Sequence, residues 1–292
     1  MTDSDPSSTG EFLGRFQLRE QIHAGTMSCV YRAWDTESAQ IVALKRPAKD
    51  DPGSLARFQD EARIQHGLSH PAIVRQLGYG GTSFSDAHIV LEWLDGPTLA
   101  ERLASGPLGL LDAVSLGRRT AEALAFLHRE HLVHRDLKPA NLLLCEGLAE
   151  KAKLIDFGMA RRDSSPGLSV HATFSGGSWA YMSPEQAMGS AELGARADVY
   201  ALGCVLFEAI SGWPAFPSDR AQALVAKVWK PAPDLADFCD GVPESLLVLV
   251  SKMLASDPSQ RPKDGSALVS ELARLGKLPS TRAVPRAREP GR

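Results

Sequence analysis

His134-Arg135-Asp136-Leu137-Lys138-Pro139-Ala140-Asn141, followed by Asp156-Phe157-Gly158, is the stretch on which the reading of the chain turns. On an extended segment Asp136 and Lys138, two apart, put their side chains on one side. A carboxylate and an ammonium facing one pocket can take a proton from a hydroxyl and neutralise a phosphate. Asn141 and Asp156 add two hard oxygen ligands. That suits Mg²⁺, which takes few protein ligands and keeps phosphates and waters for the rest. A base, a cation and two metal ligands make a phosphoryl-transfer set, in which catalysis is mostly positioning and charge stabilisation.

The composition agrees with a globular chain of this kind and excludes several others. Of 292 residues, 43% are hydrophobic and 23% charged, ordinary values for a globular protein of one large domain or two joined lobes. A net charge of -3 gives no global electrostatic case for nucleic acid or an anionic membrane surface. The longest apolar run, Tyr200 to Ile210, is interrupted by Glu208 and is too short to span a bilayer. The first residues, MTDSDPSSTGEF, are acidic and polar, the opposite of a secretory leader. Cys29, Cys145, Cys204 and Cys239 are scattered, with no CxxC or zinc spacing, and read as free thiols of a reducing, cytoplasmic compartment.

Outward from the central stretch, the chain changes character near Asp95-Gly96-Pro97. Residues 1–15 are rich in Ser, Asp, Thr and Gly and read as a disordered tail. Phe16-Gln17-Leu18 and Cys29 to Trp34 read as a hairpin with a turn over Gln21–Ser28, and Ile41 to Lys45 as a further strand. Ser54 to Leu68 reads as a helix with Ser54 as its N-cap. Ala72–Tyr79 and Ala87–Trp93 read as two more strands. Beyond residue 95 the pattern is helical. Leu111–Glu130 is amphipathic, Asp198–Ile210 is apolar almost all round, and Ala223–Trp229, Pro243–Leu254 and Ser266–Leu275 follow. Short strands are expected around Leu142–Leu144 and Lys153–Ile155. Residues 159–183 form a long polar loop, and such loops are usually functional. Residues 276–292 carry five Lys or Arg against one Glu and read as a basic flexible tail.

The central stretch resembles the catalytic and metal-binding motifs of the eukaryotic-type (Hanks-type) serine/threonine protein kinases. The resemblance runs from about Phe16 to Leu275, and the YMSPEQA wording at 181–187 has the style of bacterial members. It implies an α+β, two-lobed fold: a small strand-rich lobe with one helix at 16–94 and a larger, mainly helical lobe at 95–275. It also implies transfer of the γ-phosphate of ATP, with Mg²⁺ (or Mn²⁺) as the cation, to Ser or Thr of protein substrates.

Residue by residue, the resemblance makes Asp136 the acceptor of the substrate hydroxyl proton, Lys138 the group steadying the transferred phosphate, and Asn141 and Asp156 the metal ligands. Val42-Ala43-Leu44-Lys45 matches the strand whose lysine holds the α- and β-phosphates, and Glu61 falls where its partner carboxylate belongs. Ile22, His23, Ala24, Gly25, Thr26, Met27, Ser28 and Cys29 form the phosphate-covering loop. Val30, Ala43 and Leu143 would wall the adenine, with Glu92 and Leu94 in the connection that reads its edge. Here the sequence departs from the family: counting back from Val30, His23 and Ser28 stand where two of three glycines are usual, and only Gly25 survives. Glycine lets backbone N–H groups approach a phosphate with no Cβ in the way, so nucleotide binding is expected to be weaker. Glu185 and Arg261 would pair, Asp198 would anchor the catalytic loop, and Arg135 would meet a phosphorylated residue among Ser164, Ser165, Ser169, Thr173 and Ser175, with Thr173 and Ser175 preferred.

The alternatives are a nucleotide-binding pseudokinase, resting on the degenerate loop, and a small-molecule kinase of related fold, which would lack Lys138-Pro139 and Ser183-Pro184-Glu185. A Rossmann enzyme is disfavoured because the one glycine loop lies within a hairpin, not between strand and helix. The expected partners are protein substrates and a second copy for mutual phosphorylation. The regulatory input is expected from a partner, a ligand or the long loop.

Overall fold

The computed structural model describes residues 10–162, 178–190, 193–275 and 283–285. They fall into two compact units that divide between Asp95 and Gly96.

In the first unit, strands β1 (Glu11–Phe12), β2 (Phe16–Ala24), β3 (Ser28–Asp35) and β4 (Gln40–Pro47) are followed by helix α1 (Pro52–Gln65) and strands β5 (Gln76–Gly80) and β6 (His88–Glu92). Among the described residues they form one antiparallel sheet in the order β1-β2-β3-β4-β6-β5. Alternation decides its two faces. Phe16, Ala33, Val42, Leu44 and Val90 point to one side and form a core with Phe12 and Leu18. Val30, Ala43 and Lys45 point to the other.

Several expectations shift here. β2 runs on through Gln21 to Ala24, so the turn shrinks to Gly25–Met27; two register shifts let the strand twist without ending. Helix α1 is capped by Asp51, whose Oδ1 accepts from Ser54 N–H at 2.8 Å, and not by Ser54. Pro52 at the first helical position favours that start. Residues 72–75 lie outside any strand, and Ala72, Ile73 and Val74 are buried. The expected tail 1–15 is ordered at its inner end, because β1 brings Phe12 against Phe16 and His88, with ring centroids 6.5 and 5.7 Å apart. Arg15 reinforces it with a two-point pair to Asp35, both contacts at 2.7 Å.

The second unit begins with helices α2 (Leu99–Leu103) and α3 (Leu110–Arg129). Strands β7 (Leu132–Val133), β8 (Leu142–Leu144), β9 (Ala152–Leu154) and β10 (Arg161–Arg162) follow. Then come α4 (Pro184–Ala187), α5 (Ala195–Ser211), α6 (Arg220–Trp229), β11 (Cys239–Asp240), α7 (Glu244–Met253), α8 (Gly265–Ala273) and β12 (Val284–Pro285). β7 pairs with β10 and β8 with β9. Helix α5 is the core of this unit: Val199, Leu202, Val205, Leu206, Phe207, Ala209 and Ile210 are fully buried, as its continuous apolar pattern requires. It ends at Gly212 with φ +77°, the left-handed cap that glycine adopts most readily. Part of the expected flexible tail 276–292 is likewise tied down. Ala283 is buried and β12 pairs with β11, Cys239 with Pro285 and Asp240 with Val284. Backbone pairing of so short a segment leaves no periodic signal to read. Among the described residues no helix is long and apolar enough to cross a membrane, and the four cysteines are free.

Candidate active site

The residues singled out from the sequence divide between the units. In the first, β2, β3 and β4 line up His23, Val30 and Lys45 as direct cross-strand partners, so the three side chains share a face. Lys45 and Glu61, both about 95% buried, form an ion pair between β4 and α1. A buried pair that lost one partner would strand the other's charge, so each fixes the other's place. The β2–β3 turn is closed by Gly25 N–H donating to Ser28 O at 2.9 Å. A Cβ on residue 25 would lie 2.7 Å from His23 Nε2 and 3.2 Å from Ser28 O. The His23 ring thus occupies the space beside the backbone of the surviving glycine. Ile22 and His23 are exposed, and Ala24, Thr26, Met27, Ser28, Cys29 and Val30 range from partly to largely exposed along the same hairpin. Glu92 is held by Arg75, whose N–H donates to Oε1 at 2.8 Å, and Leu94 is half-buried beyond the end of β6.

In the second unit, Lys138 Nζ lies 2.7 Å from Asp136 Oδ2, as the two-residue spacing predicts. Asn141 Nδ2 donates to the Asp136 carbonyl at 2.7 Å and to its carboxylate at 3.2 Å. The amide oxygen of Asn141 lies across the same planar group from these donations. Asn141 O also accepts Ile155 N–H at 3.1 Å, and this tie joins the 136–141 segment to Asp156. His134 donates from Nε2 to the Asp156 carbonyl, since a carbonyl only accepts, and its Nδ1 then receives Asp136 N–H at 3.4 Å. Its ring stands edge-on to Phe157, centroids 5.4 Å apart. Leu143 is half-buried on β8, bridged to Thr98.

The loop is hung from beneath by Asp198, fully buried on α5. Its Oδ2 accepts His134 N–H at 2.8 Å and its Oδ1 accepts Arg135 N–H at 2.9 Å. Burial pushes the Asp198 carboxyl up, yet the hydrogen bond and charge of His128, with the bonds from the loop, hold it below the usual carboxylate range. Arg135 adopts φ +67°, a left-handed conformation that a non-glycine residue keeps only where its surroundings hold it. Gln186 on α4 supplies the second hold, donating from Nε2 to Arg135 O at 2.7 Å. Neither His128 nor Gln186 was foreseen. His128 reaches Asp198 Oδ2 at 3.0 Å through Nε2 and accepts Gly265 N–H at 3.0 Å through Nδ1. Gly265 is obligatory there, because a Cβ would meet Ala125 N at 2.3 Å.

Residues 16–272 match the family model described as "Protein kinase domain". The chain belongs to the protein kinase family. Two curated relatives are similar over 89% of this chain: serine/threonine-protein kinase PknB of Mycolicibacterium smegmatis, 35% identical, and serine/threonine-protein kinase PknD of Mycobacterium tuberculosis, 36% identical. The chain spans 43% and 39% of their lengths. The two-lobed α+β kinase fold accounts for both units, and the family works with ATP and a divalent cation on protein substrates.

The pairing of Glu185 with Arg261 is present, with contacts at 2.8 and 2.9 Å. Ser164, Ser165, Ser169, Thr173 and Ser175 lie outside the described residues. Asn141 and Asp156 fit a hard divalent ion in kind: a carboxylate and an amide oxygen, with no His or Cys to favour a softer metal. Two such ligands leave the remaining positions to phosphates and water.

Proposed function

We propose that this chain is an active serine/threonine protein kinase, transferring the γ-phosphate of Mg-ATP to protein hydroxyl groups. The observation that carries the reading is the cluster of Asp136, Lys138 and Asn141, suspended from Asp198 and joined through Asn141 and Ile155 to Asp156. In this reading the kinase domain spans residues 16–275. Asp136 accepts the proton of the attacking hydroxyl. Lys138, already 2.7 Å from that carboxylate, balances charge on the transferred group. Lys45, oriented by Glu61, holds the α- and β-phosphates, and Val30, Ala43 and Leu143 flank the base. Mg²⁺ held by Asn141 and Asp156 would supply charge neutralisation at the phosphates. The Lys45–Glu61 pair and the Asp136 cluster are complete, so the pseudokinase reading keeps only the His23 and Ser28 substitutions. Phosphorylation of one copy by another, in the cytoplasm, belongs to the same proposal.

The test is transfer of labelled γ-phosphate from Mg-ATP to the chain itself and to a generic basic protein, beside Asp136→Asn. Label on Ser or Thr with the native chain and none with the variant is expected. Nucleotide-dependent thermal stabilisation without label would instead mark a binding module.

A further inference from the structure

Helix α6 carries a lysine on its inner face. Lys227 is only 1% exposed, and its ammonium donates to the carbonyl of Ala180 at 2.9 Å. It sits over the rings of Phe216 and Tyr200, 3.9 and 4.9 Å from their centroids. Among the described residues it pairs with no carboxylate. An ammonium is rarely buried with one carbonyl and two aromatic faces, because the lost hydration is only partly replaced. The neighbours of Ala180 are held as closely. Arg220, also on α6, lies 4.9 Å over the Trp179 ring, which packs with Met182, Ala223 and Ala187. Tyr181 donates to Glu208 on α5 at 2.6 Å. Three consecutive residues are thus tethered one by one, and Lys227 holds the only backbone atom among these tethers.

We infer that Lys227 is a positioning residue for the acceptor protein: by fixing the Ala180 carbonyl it sets the backbone of residues 179–182 against which the substrate chain lies. The inference rests on the phosphotransfer reading and on the resemblance of residues 177–185 to a substrate-binding segment. Lys227 touches neither nucleotide nor the reacting atoms, so its loss falls on the binding of protein substrate. Burial lowers the Lys227 pKa to about 8, assisted by Arg261 and opposed by Cys204 and Glu185. Two of the groups facing it, Tyr200 and Cys204, are held away from that pH. Burial holds Tyr200 well above its ordinary value and raises Cys204 to about 11. Arg261, ion-paired with Glu185, also faces it. Deprotonation removes the attraction to the two rings and weakens the bond to Ala180.

The experiment is steady-state kinetics of the native chain and Lys227→Met with a Ser/Thr peptide, and with the Asp136→Asn chain as protein acceptor. Methionine keeps the stem and removes the ammonium. A rise of about fivefold or more in KM for both acceptors is expected, with kcat and KM for ATP within about twofold. Native KM for the peptide should climb between pH 7.5 and 9 while that of the variant stays flat. Unchanged acceptor KM, or a fall in kcat alone, overturns the inference. If Lys227→Met fails to fold, a native peptide KM that is flat over the same pH range overturns it. No transfer by the native chain refutes the phosphotransfer reading and the inference with it, whereas transfer with unchanged KM refutes the inference alone.

Discussion

Arg261 grips Glu185 with both terminal nitrogens, Nη1 on Oε1 at 2.8 Å and Nη2 on Oε2 at 2.9 Å. Its remaining donors reach Ala255 O, Arg196 O and Ser256 O at 2.7, 3.1 and 3.0 Å. The guanidinium also covers the Tyr200 ring at 4.8 Å. The planar fork thereby joins the start of α4, the start of α5 and the segment before α8. Lysine cannot reproduce five directed donors. Arg261→Lys is expected to lower stability by about 2 kcal/mol and Arg261→Met by about 3–5 kcal/mol, since the second leaves Glu185 and three carbonyls without their partner. Urea unfolding midpoints check this; equal midpoints for Arg261→Met and the native chain would refute it.

Asp198→Asn tests the suspension of the catalytic loop. The carboxylate accepts from His134 and Arg135 N–H and from His128. An amide of the same shape turns its NH₂ toward one of these donors. Losing a charged acceptor for two buried N–H groups costs about 1.5–3 kcal/mol. With the loop as the seat of Asp136, kcat should fall by about 10- to 100-fold at nearly unchanged KM for ATP. A normal kcat in a folded Asp198→Asn chain would show that the loop holds its shape without the anchor.

His23 concerns the small unit. Its Nε2 lies 2.7 Å from where a Cβ on residue 25 would be, and it shares a sheet face with Lys45. His23→Gly removes the ring from the backbone expected to cover the phosphates. KM for ATP should drop several-fold, and the combination with Ser28→Gly should lower it further. A rise in KM would mean that the imidazole helps to hold the nucleotide.

These relationships were unequally legible in the sequence. Asp136, Lys138, Asn141 and Asp156 announced themselves because their chemistry depends on types at short spacings, and α5 did because a helix buried all round has no polar stripe. His128, Gln186 and Lys227 did not. Each acts by meeting a group far along the chain, Asp198, Arg135 O and Ala180 O, and a lone polar residue on a helix gives no sign of the partner that folding will bring. The N-cap of α1 was missed because Asp51 and Ser54 both suit the role, and only the backbone turn chooses between them. Phe12 and Ala283 were lost among polar neighbours, where one buried side chain is too weak a signal to lift a segment out of a tail.

Lys227 makes a last prediction, about stability and pH. Its pKa is about 8 in the folded chain against 10.5 ordinarily, so the folded state binds this proton less tightly than the unfolded one. Below about pH 8 both states are charged and the full cost of burying the ammonium is present. Between about 8 and 10.5 the folded chain releases the proton while the unfolded chain keeps it, so stability rises with pH across that window. At about 1.4 kcal/mol for each pH unit the cost is at most about 3 kcal/mol. The bond to Ala180 offsets about 1 kcal/mol of it. Lys227→Met should therefore be more stable than the native chain by about 2 kcal/mol at pH 7, and at about 1.4 kcal/mol per pH unit above pH 8 that advantage should be gone by about pH 9.5. Urea midpoints of both chains at pH 7, 8.5 and 10 read this directly. A difference independent of pH would show that Lys227 titrates in the folded chain as it does in water. A variant more stable yet poorer at binding its acceptor would place the ammonium among groups kept for function at a cost in stability.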